Sequence, residues 1–421
     1  MVAVGLDVSG LDPTFKGHAQ RGIGRYVSEL KRFLDDATPS DVSVSYFNHK
    51  ELLTRGIAGR IVNAAPVGRT TLRQQLLYPL RLGRGHLKEV SFVHFPAHMD
   101  APAWSRKPYI LTVLDLIPLV LKDLYKANRS GVRFHFARWL EITSIRNAAL
   151  LLAISEHTAK DIVNVLGIPR ERIVVTPLGV DEKFFSVEAI RELRREGEPK
   201  TVAHGRNLRQ RLGIPLKRPL LLYVGGHDER KNIDRLLEIG SEVVKQYSGA
   251  EQDDLPFLVL AGRIGSQAER ERLAHSVVRH KMAPHALSVG YVPDEDLLTL
   301  YAESELFLFP SLYEGFGLPP LEAMAAGVPV VSSSASSLPE VVGDTGLLFN
   351  PVSTTEGASA VLSLLTNKEH ARLLSERARE RAKLFTWRHT GETTLDAYRV
   401  AGELLAASRG SYELRMVEGG N

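Results

Sequence analysis

The residues between Glu314 and Gly327 have the types and the spacing of an anion-binding turn. They read EGFGLPPLEAMAAG and follow an apolar run that predicts a strand. Gly315 and Gly317 let the backbone turn sharply and approach a ligand closely, and the two prolines suit the first turn of a helix. The sequence therefore predicts a strand, a glycine turn and a helix N-terminus whose free N–H groups favour an anion such as a diphosphate.

Glu314 and Glu322 lie on either side of this predicted anion site. Because carboxylates repel phosphates, a pair of acids is a poor choice for binding phosphate alone. We interpret them as acceptors for hydroxyl groups, one on a sugar and the other on a ribose, and a nucleotide-sugar is a ligand with that layout. The alternative is an ordinary strand–turn–helix unit with a solvated first turn.

The fourteen residues resemble the donor-site signature of the retaining glycosyltransferases of family 4. The resemblance implies an α/β protein with the GT-B fold, in which two Rossmann-like domains, each with a doubly wound parallel sheet, face a central crevice. It also implies a hexosyltransferase that uses a nucleotide-sugar and keeps the anomeric configuration. In this motif Glu314 would be catalytic. The donor would be bound by Glu314, Gly315, Phe316, Gly317, Leu318 and Glu322.

A second motif, GGHDERKN, follows the apolar residues 220–224. Arg230 and Lys231 precede a predicted helix, whose dipole opposes nearby cations unless an anion lies between them. The motif resembles the glycine-rich loop of the same family, which assigns Gly226, Arg230 and Lys231 to the donor site and Lys231 to catalysis. Many relatives have arginine where this chain has Gly226. The alternative is a surface basic pair, and we expect the loop to be exposed.

Two further loops resemble donor contacts of the family. The sequence GIGRY resembles a loop that closes over the donor phosphates, which adds Gly22 and Gly24 to the donor site. Residues 290–297 resemble the loop whose main chain abuts the nucleotide base, which adds Val292. Taken singly, each loop is also compatible with ordinary turn chemistry.

Polar residues also follow two neighbouring predicted strands of the first half. His94 and His98 end one strand and Asp115 ends the next, so we expect all three to face the crevice and bind the acceptor, and Asp115 to take part in catalysis. Many relatives have a histidine where this chain has Leu114. Either Asp115 or a neighbouring histidine compensates, or the chemistry needs no imidazole. The alternative for both histidines is a buried, hydrogen-bonded position.

Apolar runs alternate with helical patterns along the chain, which predicts βαβ units and two parallel sheets. The predicted strands lie near residues 2–7, 42–47, 91–95, 109–114, 149–154, 172–176, 220–225, 256–261, 286–290, 305–309, 328–332 and 346–349. The arginine-rich segment 186–218 predicts a linker between an N-terminal acceptor-binding domain, 1–185, and a C-terminal nucleotide-sugar-binding domain, 219–386. Residues 387–421 predict a helix, which in the family crosses back to the first domain.

The composition is that of a globular protein, with 44% hydrophobic and 24% charged residues. The absence of cysteine excludes disulfides, thiolate metal sites and a cysteine nucleophile. The N-terminus has no basic leader, and no uninterrupted apolar run is long enough to span a membrane. A net charge of +4 is too small to indicate nucleic acid. We therefore expect a cytoplasmic protein.

The stretch 51–90 carries seven basic and two acidic residues, interleaved with leucines. Such a stretch can lie against an anionic membrane, which would make the protein peripheral at the inner face of the cell membrane. The alternative is a solvated helix–loop–helix whose leucines face the core.

The resemblance implies that a hexose passes from a nucleoside-diphosphate sugar to a hydroxyl of a glycan or lipid-linked acceptor, in bacterial surface polysaccharide or lipopolysaccharide synthesis. GDP-mannose is the first guess for the donor. No DxD-type aspartate pair follows a predicted strand, so we expect a reaction without metal ion or other cofactor. The alternative is a catalytically silent homologue that binds nucleotide-sugar or glycan and supports a partner enzyme, a reading that Leu114 and Gly226 favour.

Overall fold

The computed structural model describes residues 1–13, 22–37, 39–48, 75, 79, 82, 85–121, 132–247 and 254–418, with side chains omitted for 132–134 and 408–418. Two compact units are present, one made of Met1–Gly179 and the chain from Trp387 onward, the other of Val180–Thr386. Most of the stretch 51–90 lies outside the described residues, and so does its predicted contact with a membrane. No helix within the described ranges is long and apolar enough to cross a membrane.

Each unit contains a sheet of six parallel strands. The strands of the first unit are β1 (Val2–Asp7), β2 (Val42–Phe47), β3 (Phe92–Phe95), β4 (Tyr109–Val113), β5 (Leu150–Ala153) and β6 (Ile173–Val175). Those of the second unit are β7 (Leu220–Val224), β8 (Phe257–Ala261), β9 (Ala286–Gly290), β10 (Ser304–Phe309), β11 (Val330–Ser333) and β12 (Leu347–Phe349).

The strand orders are β2-β1-β3-β4-β5-β6 and β12-β11-β10-β7-β8-β9. In each sheet the strands are added first toward one edge and then toward the other. The direction reverses between β1 and β3 in the first sheet and between β7 and β10 in the second, which is the doubly wound arrangement. This predicted fold class is confirmed, and each predicted strand coincides with an observed one to within two residues at either end.

Helices cover both sheets, which explains why the strands read as continuous apolar runs. In chain order the helices are α1 (Gly22–Ala37), α2 (Ile117–Val120), α3 (Val132–Asn147), α4 (Glu156–Leu166), α5 (Val187–Arg195), α6 (Pro199–Leu212), α7 (Ile233–Gln246), α8 (Gln267–Arg279), α9 (Asp294–Glu303), α10 (Leu318–Ala325), α11 (Leu338–Val342), α12 (Thr354–Thr366), α13 (Lys368–Ala382) and α14 (Trp387–Glu418). The last helix, α14, belongs to the first unit, where it packs against α1.

The segment predicted to be a linker, 186–218, instead contains α5 and α6, which pack against α9 inside the second unit. The physical reason is that two of its arginines, Arg191 and Arg209, are buried and paired rather than solvated. Arg191 Nη1 donates to the carbonyl oxygens of Tyr301 and Ser304 at 3.0 and 2.7 Å. Arg209 Nε donates to Glu303 Oε2 at 2.7 Å. The boundary between the two units therefore falls at residues 179–180, earlier than predicted.

Candidate active site

The carboxyl ends of β7 and β10 are neighbours in the second sheet, on either side of its change of direction. Ligands of doubly wound sheets bind outside the carboxyl ends of the strands at such a point. The loop after β7 carries Arg230 and Lys231, and the loop after β10 carries Glu314. Leu312 N donates to Arg230 O at 2.7 Å, which ties the two loops together.

Glu314 binds both cations of the neighbouring loop. Lys231 Nζ donates to its Oε1 at 2.6 Å, and Arg230 Nη1 donates to its Oε2 at 2.7 Å. Ser311 Oγ also donates to Oε1, at 2.6 Å. Arg230 Nε in addition lies 3.1 Å from Asp228 Oδ1. The structure thus brings together three residues that the sequence assigned to the donor site, and pairs each of the two cations with a carboxylate.

This cluster is buried, with Lys231 and Glu314 each only 7% exposed. Burial opposes the charge on Glu314, but the charges of Lys231 and Arg230 and the hydrogen bonds from Lys231 and Ser311 outweigh it and lower the pKa of Glu314 to about 2. Burial also lowers the pKa of Lys231, while the charge of Glu314 acts in the opposite direction. The expectation of an exposed loop is wrong for Lys231, whose ammonium lies 5.1 Å from the Phe309 ring centre.

The turn after Glu314 has the predicted form. Gly317 has a φ of 118°, and a Cβ there would lie 2.9 Å from Leu338 Cδ2, so the position requires glycine. Helix α10 begins at Leu318 with prolines in its first turn. Phe316 is buried and packs edge-on against Phe385, with ring centres 5.9 Å apart.

Two serines that the sequence reasoning missed hold this turn in place. Glu314 N donates to Ser336 Oγ at 2.8 Å. Ser337 Oγ donates to the carbonyl oxygens of Glu314 and Phe316, at 3.0 and 2.7 Å. The available signal was the run SSSASS that starts near the end of β11, since hydroxyls in that position can bond the neighbouring loop.

Glu322 lies on α10 and is 5% exposed. Tyr301 Oη, from α9, donates to Glu322 Oε2 at 3.4 Å. Its predicted contact with a ribose stays a prediction.

The glycine loop after β7 is held by its neighbours. Tyr223 Oη donates to Gly226 O at 2.7 Å. A Cβ on Gly262 would lie 1.8 Å from Gly225 O, so the end of β8 approaches this loop more closely than any side chain allows. Gly262 N donates to the carbonyl oxygen of Gly290, at the end of β9 and two residues before the buried Val292. Gly226 and Val292 therefore both lie where strands of the second sheet end. The close approach of the two loops requires glycine at position 262, which the sequence reasoning missed.

Gly22 and Gly24, predicted to lie in a loop, are helical. Gly22 is the first residue of α1, and Gly24 is buried in its first turn. Tyr26, on the same helix, is buried with its hydroxyl 3.1 Å from Thr112 Oγ1 on β4. The apolar face of α1 therefore extends to its beginning, and a donor contact by the two glycines stays a prediction.

His94 occupies the buried, hydrogen-bonded position that the sequence analysis left as its alternative. Its Nδ1 lies 2.8 Å from the Tyr398 hydroxyl on α14, and its Nε2 lies 2.8 Å from Thr112 Oγ1. Burial lowers the pKa of His94 to about 3, so the imidazole is neutral. Both ring nitrogens are engaged within the first unit. The geometry therefore does not support His94 as an acceptor-binding residue.

His98 follows β3 and is held by a residue of α3. Its Nε2 lies 3.0 Å from Glu141 Oε1, and Arg138 Nη1 lies 2.6 Å from Glu141 Oε2. Burial opposes the charge on His98, but the hydrogen bond and charge of Glu141, with the charge of Asp115, raise its pKa above the usual value despite Arg138. His98 Nδ1 is buried and hydrogen-bonded to none of the described residues.

Asp115 is half-buried after β4, and its Oδ1 accepts from the backbone N of Ile117, the first residue of α2, at 3.1 Å. The charge of Asp115 helps to raise the pKa of His98, and acceptor binding by these two residues stays a prediction. The structure adds Glu141 and Arg138 beside His98, which no motif indicated because α3 lies far along the chain. Within the described ranges, no group of three or more acidic or histidine side chains could hold a metal ion.

Two family models match the chain. The model "Glycosyltransferase Family 4" matches residues 20–184, and "Glycosyl transferases group 1" matches residues 205–381. The O-antigen chain mannosyltransferase B of Escherichia coli is 33% identical over 261 residues, 61% of this chain and 62% of that protein. A serotype-specific mannosyltransferase WbdA of Escherichia coli is 28% identical over 339 residues, 80% of this chain and 37% of that protein. The chain thus spans less than two thirds of the length of these relatives.

Among solved structures, Anabaena Alr3699/HepE in complex with UDP and glucose has a TM-score of 0.64 at 16% identity, over 95% of this chain and 100% of that one. At such identity the likeness concerns the fold, and it agrees with the GT-B class predicted from the sequence. The two family models together span most of both units. The chain belongs to glycosyltransferase family 4.

Proposed function

We propose that this protein transfers a hexose from a nucleoside-diphosphate sugar to a hydroxyl group of a glycan or lipid-linked acceptor, with retention of the anomeric configuration. The observation that carries the proposal is the pairing of Glu314 with Arg230 and Lys231 where the second sheet changes direction. Two cations at that point match a diphosphate. The carboxylate beside them is placed to accept hydrogen bonds from a sugar.

The names of the relatives support a choice of donor and process. Two of them are named mannosyltransferases, one of an O-antigen chain, and this supports GDP-mannose and surface polysaccharide synthesis as first choices. The Anabaena structure with UDP and glucose supports a nucleotide-sugar in general. A lipid-linked acceptor would place the protein in the cytoplasm, at the inner face of the cell membrane.

The donor residues have complementary tasks in this mechanism. Cleavage of the bond between sugar and diphosphate leaves negative charge on the phosphate and develops positive charge at the anomeric carbon. Arg230 and Lys231 stabilise the first charge, and Glu314 stabilises the second while orienting the sugar hydroxyls. The acceptor hydroxyl gives its proton to the departing phosphate oxygen on the same face. This route needs no imidazole at position 114 and no metal ion.

On the acceptor side we assign contacts to Asp115 and His98, with Glu141 as the residue that positions His98. A histidine that bonds a carboxylate through one nitrogen has its other nitrogen fixed in orientation. This assignment leaves His94 out, because Tyr398 and Thr112 occupy both of its nitrogens.

A melting-temperature screen against nucleoside diphosphates tests the donor site first. A ligand at 100 times its Kd adds about 2.7 kcal/mol of stability. The nucleotide that stabilises the protein then selects the nucleotide-sugars to test for hydrolysis without acceptor, with and without EDTA. Hydrolysis in EDTA supports a transferase without a metal ion. A protein stabilised by no nucleoside diphosphate would contradict the proposal.

A catalytically silent homologue that binds nucleotide-sugar or glycan and supports a partner enzyme is the second candidate. It is favoured by Leu114 and Gly226, which stand where many relatives have histidine and arginine. Such a protein would bind a nucleotide in the melting screen and hydrolyse no donor.

A further inference from the structure

The cations of the donor site are balanced by the protein's own carboxylates. Each oxygen of Glu314 faces one cation, Lys231 at 2.6 Å and Arg230 at 2.7 Å. The second carboxylate, Asp228, lies 3.1 Å from Arg230 Nε. Two positive and two negative charges therefore meet in this cluster.

The balance of charges is energetically important because the cluster is buried. A charge removed from water needs a partner of opposite sign, and adding unpaired charge to a buried cluster is costly. Lys231 and Glu314 are both buried, and Ser311 Oγ reinforces the position of the carboxylate. A diphosphate brings at least two further negative charges to the same two cations.

We propose that Glu314 is the internal counter-anion of Arg230 and Lys231, and that a diphosphate binds there by displacing it from them. This inference rests on the proposed function, which assigns both cations to the diphosphate. Once displaced, the carboxylate is available to the sugar of the donor. After transfer it returns to the cations and promotes release of the nucleoside diphosphate. Glu314 thus links phosphate binding, sugar contact and product release.

The test is calorimetric titration with inorganic pyrophosphate and with GDP. Pyrophosphate contains neither base nor sugar, so it reports on the cations alone. Glu314→Gln keeps the size of the side chain and removes its charge. The charged carboxylate competes with pyrophosphate for the two cations, so its removal should strengthen pyrophosphate binding by about tenfold or more. Asp228→Asn removes the more exposed counter-anion and should strengthen binding less, by roughly two- to fivefold.

Glu305→Gln is the matched control. Glu305 lies near the start of β10, at the opposite end of the strand from Glu314, and it pairs with Lys368 at 3.0 Å. The control removes the same charge from the same unit, so its pyrophosphate affinity should equal that of the unmodified protein. An equal gain in Glu305→Gln would show that net charge, and not the pairing, sets the affinity.

Equal or weaker pyrophosphate binding by a folded Glu314→Gln overturns the inference. If that variant does not fold, as melting curves will show, Asp228→Asn decides, and unchanged affinity there overturns it too. Failure of the proposed function has a different signature. In that case the unmodified protein hydrolyses no donor, whereas failure of the inference alone leaves donor hydrolysis intact.

Discussion

Replacing Lys231 by methionine tests whether the donor site also stabilises the second unit. Methionine keeps the apolar length of the side chain and removes the charge 2.6 Å from Glu314. Breaking a buried ion pair by removing one partner costs ~3–5 kcal/mol, and because Arg230 stays on Glu314 we expect about 3 kcal/mol. Loss of a charge-assisted contact to the diphosphate, worth ~1.5–3 kcal/mol, should also slow donor turnover by about 10- to 100-fold.

Thermal melting measures the first effect. For a unit of about 200 residues each kcal/mol shifts Tm by ~2–4 °C, so Tm at pH 7 should fall by roughly 6–12 °C. The folded-state pKa of Glu314, about 2, lies below its ordinary value of 4.5. Its ionised form therefore stabilises the fold above pH 4.5, and that contribution is lost as the pH falls toward 2. The Tm difference between the two proteins should narrow over the same range, since protonated Glu314 needs no partner.

Lys368→Met is the control, because Lys368 pairs with Glu305 at 3.0 Å but is 63% exposed. An exposed pair contributes at most about 1 kcal/mol, so this variant should melt within a few degrees of the unmodified protein. If Lys231→Met melts like Lys368→Met at pH 7, the ion pair does not support the fold and the reasoning is refuted.

Three other substitutions test the remaining assignments. Glu322→Gln should raise the Kd for the nucleoside diphosphate about tenfold, a change of about 1.4 kcal/mol; calorimetry that finds unchanged affinity would remove Glu322 from the donor site. Glu141→Gln should lower the pKa of His98 in an NMR titration, because burial would then act without the carboxylate that raises it. Charged His98 stabilises the fold at low pH, and this contribution, which is lost as the pH rises through the folded-state pKa, should be smaller in the variant. An unchanged pKa would argue against Glu141 as the positioning residue. Leu114→His should leave donor hydrolysis unchanged or lower; an inert parent and an active variant would instead favour the silent homologue.

The strands could be predicted because a buried parallel strand is a short apolar run, as in the sequences LLLYV of β7 and LFLF of β10. The helices of segment 187–212 could not, because arginine in a polar stretch usually marks solvent. Arg191 and Arg209 are buried instead, and their partners Tyr301 and Glu303 lie 110 and 94 residues away. No local pattern reports a partner at that distance, so composition alone placed a linker where the unit has two packed helices.

The same limit separates the two predicted histidines. Both histidines were predicted from their position at the end of β3. However, His94 bonds Tyr398, 304 residues away, whereas His98 bonds Glu141. Position on a strand end predicts that a side chain lies near a site. Only its partners decide whether it is free to act there.

The donor motif was the most predictable part of the site, because its turn and helix are local features. Its charge pairing was not, since Arg230 lies 84 residues before Glu314. Because of that pairing, Glu314→Ala alone is not a sufficient test of Glu314. Glu314→Ala removes the proposed sugar contact and takes a carboxylate from both cations at once, so a loss of turnover combines both effects. Glu314→Gln keeps an oxygen for the sugar and for Ser311, and a gain in pyrophosphate affinity with lost turnover would assign the two tasks to one carboxylate.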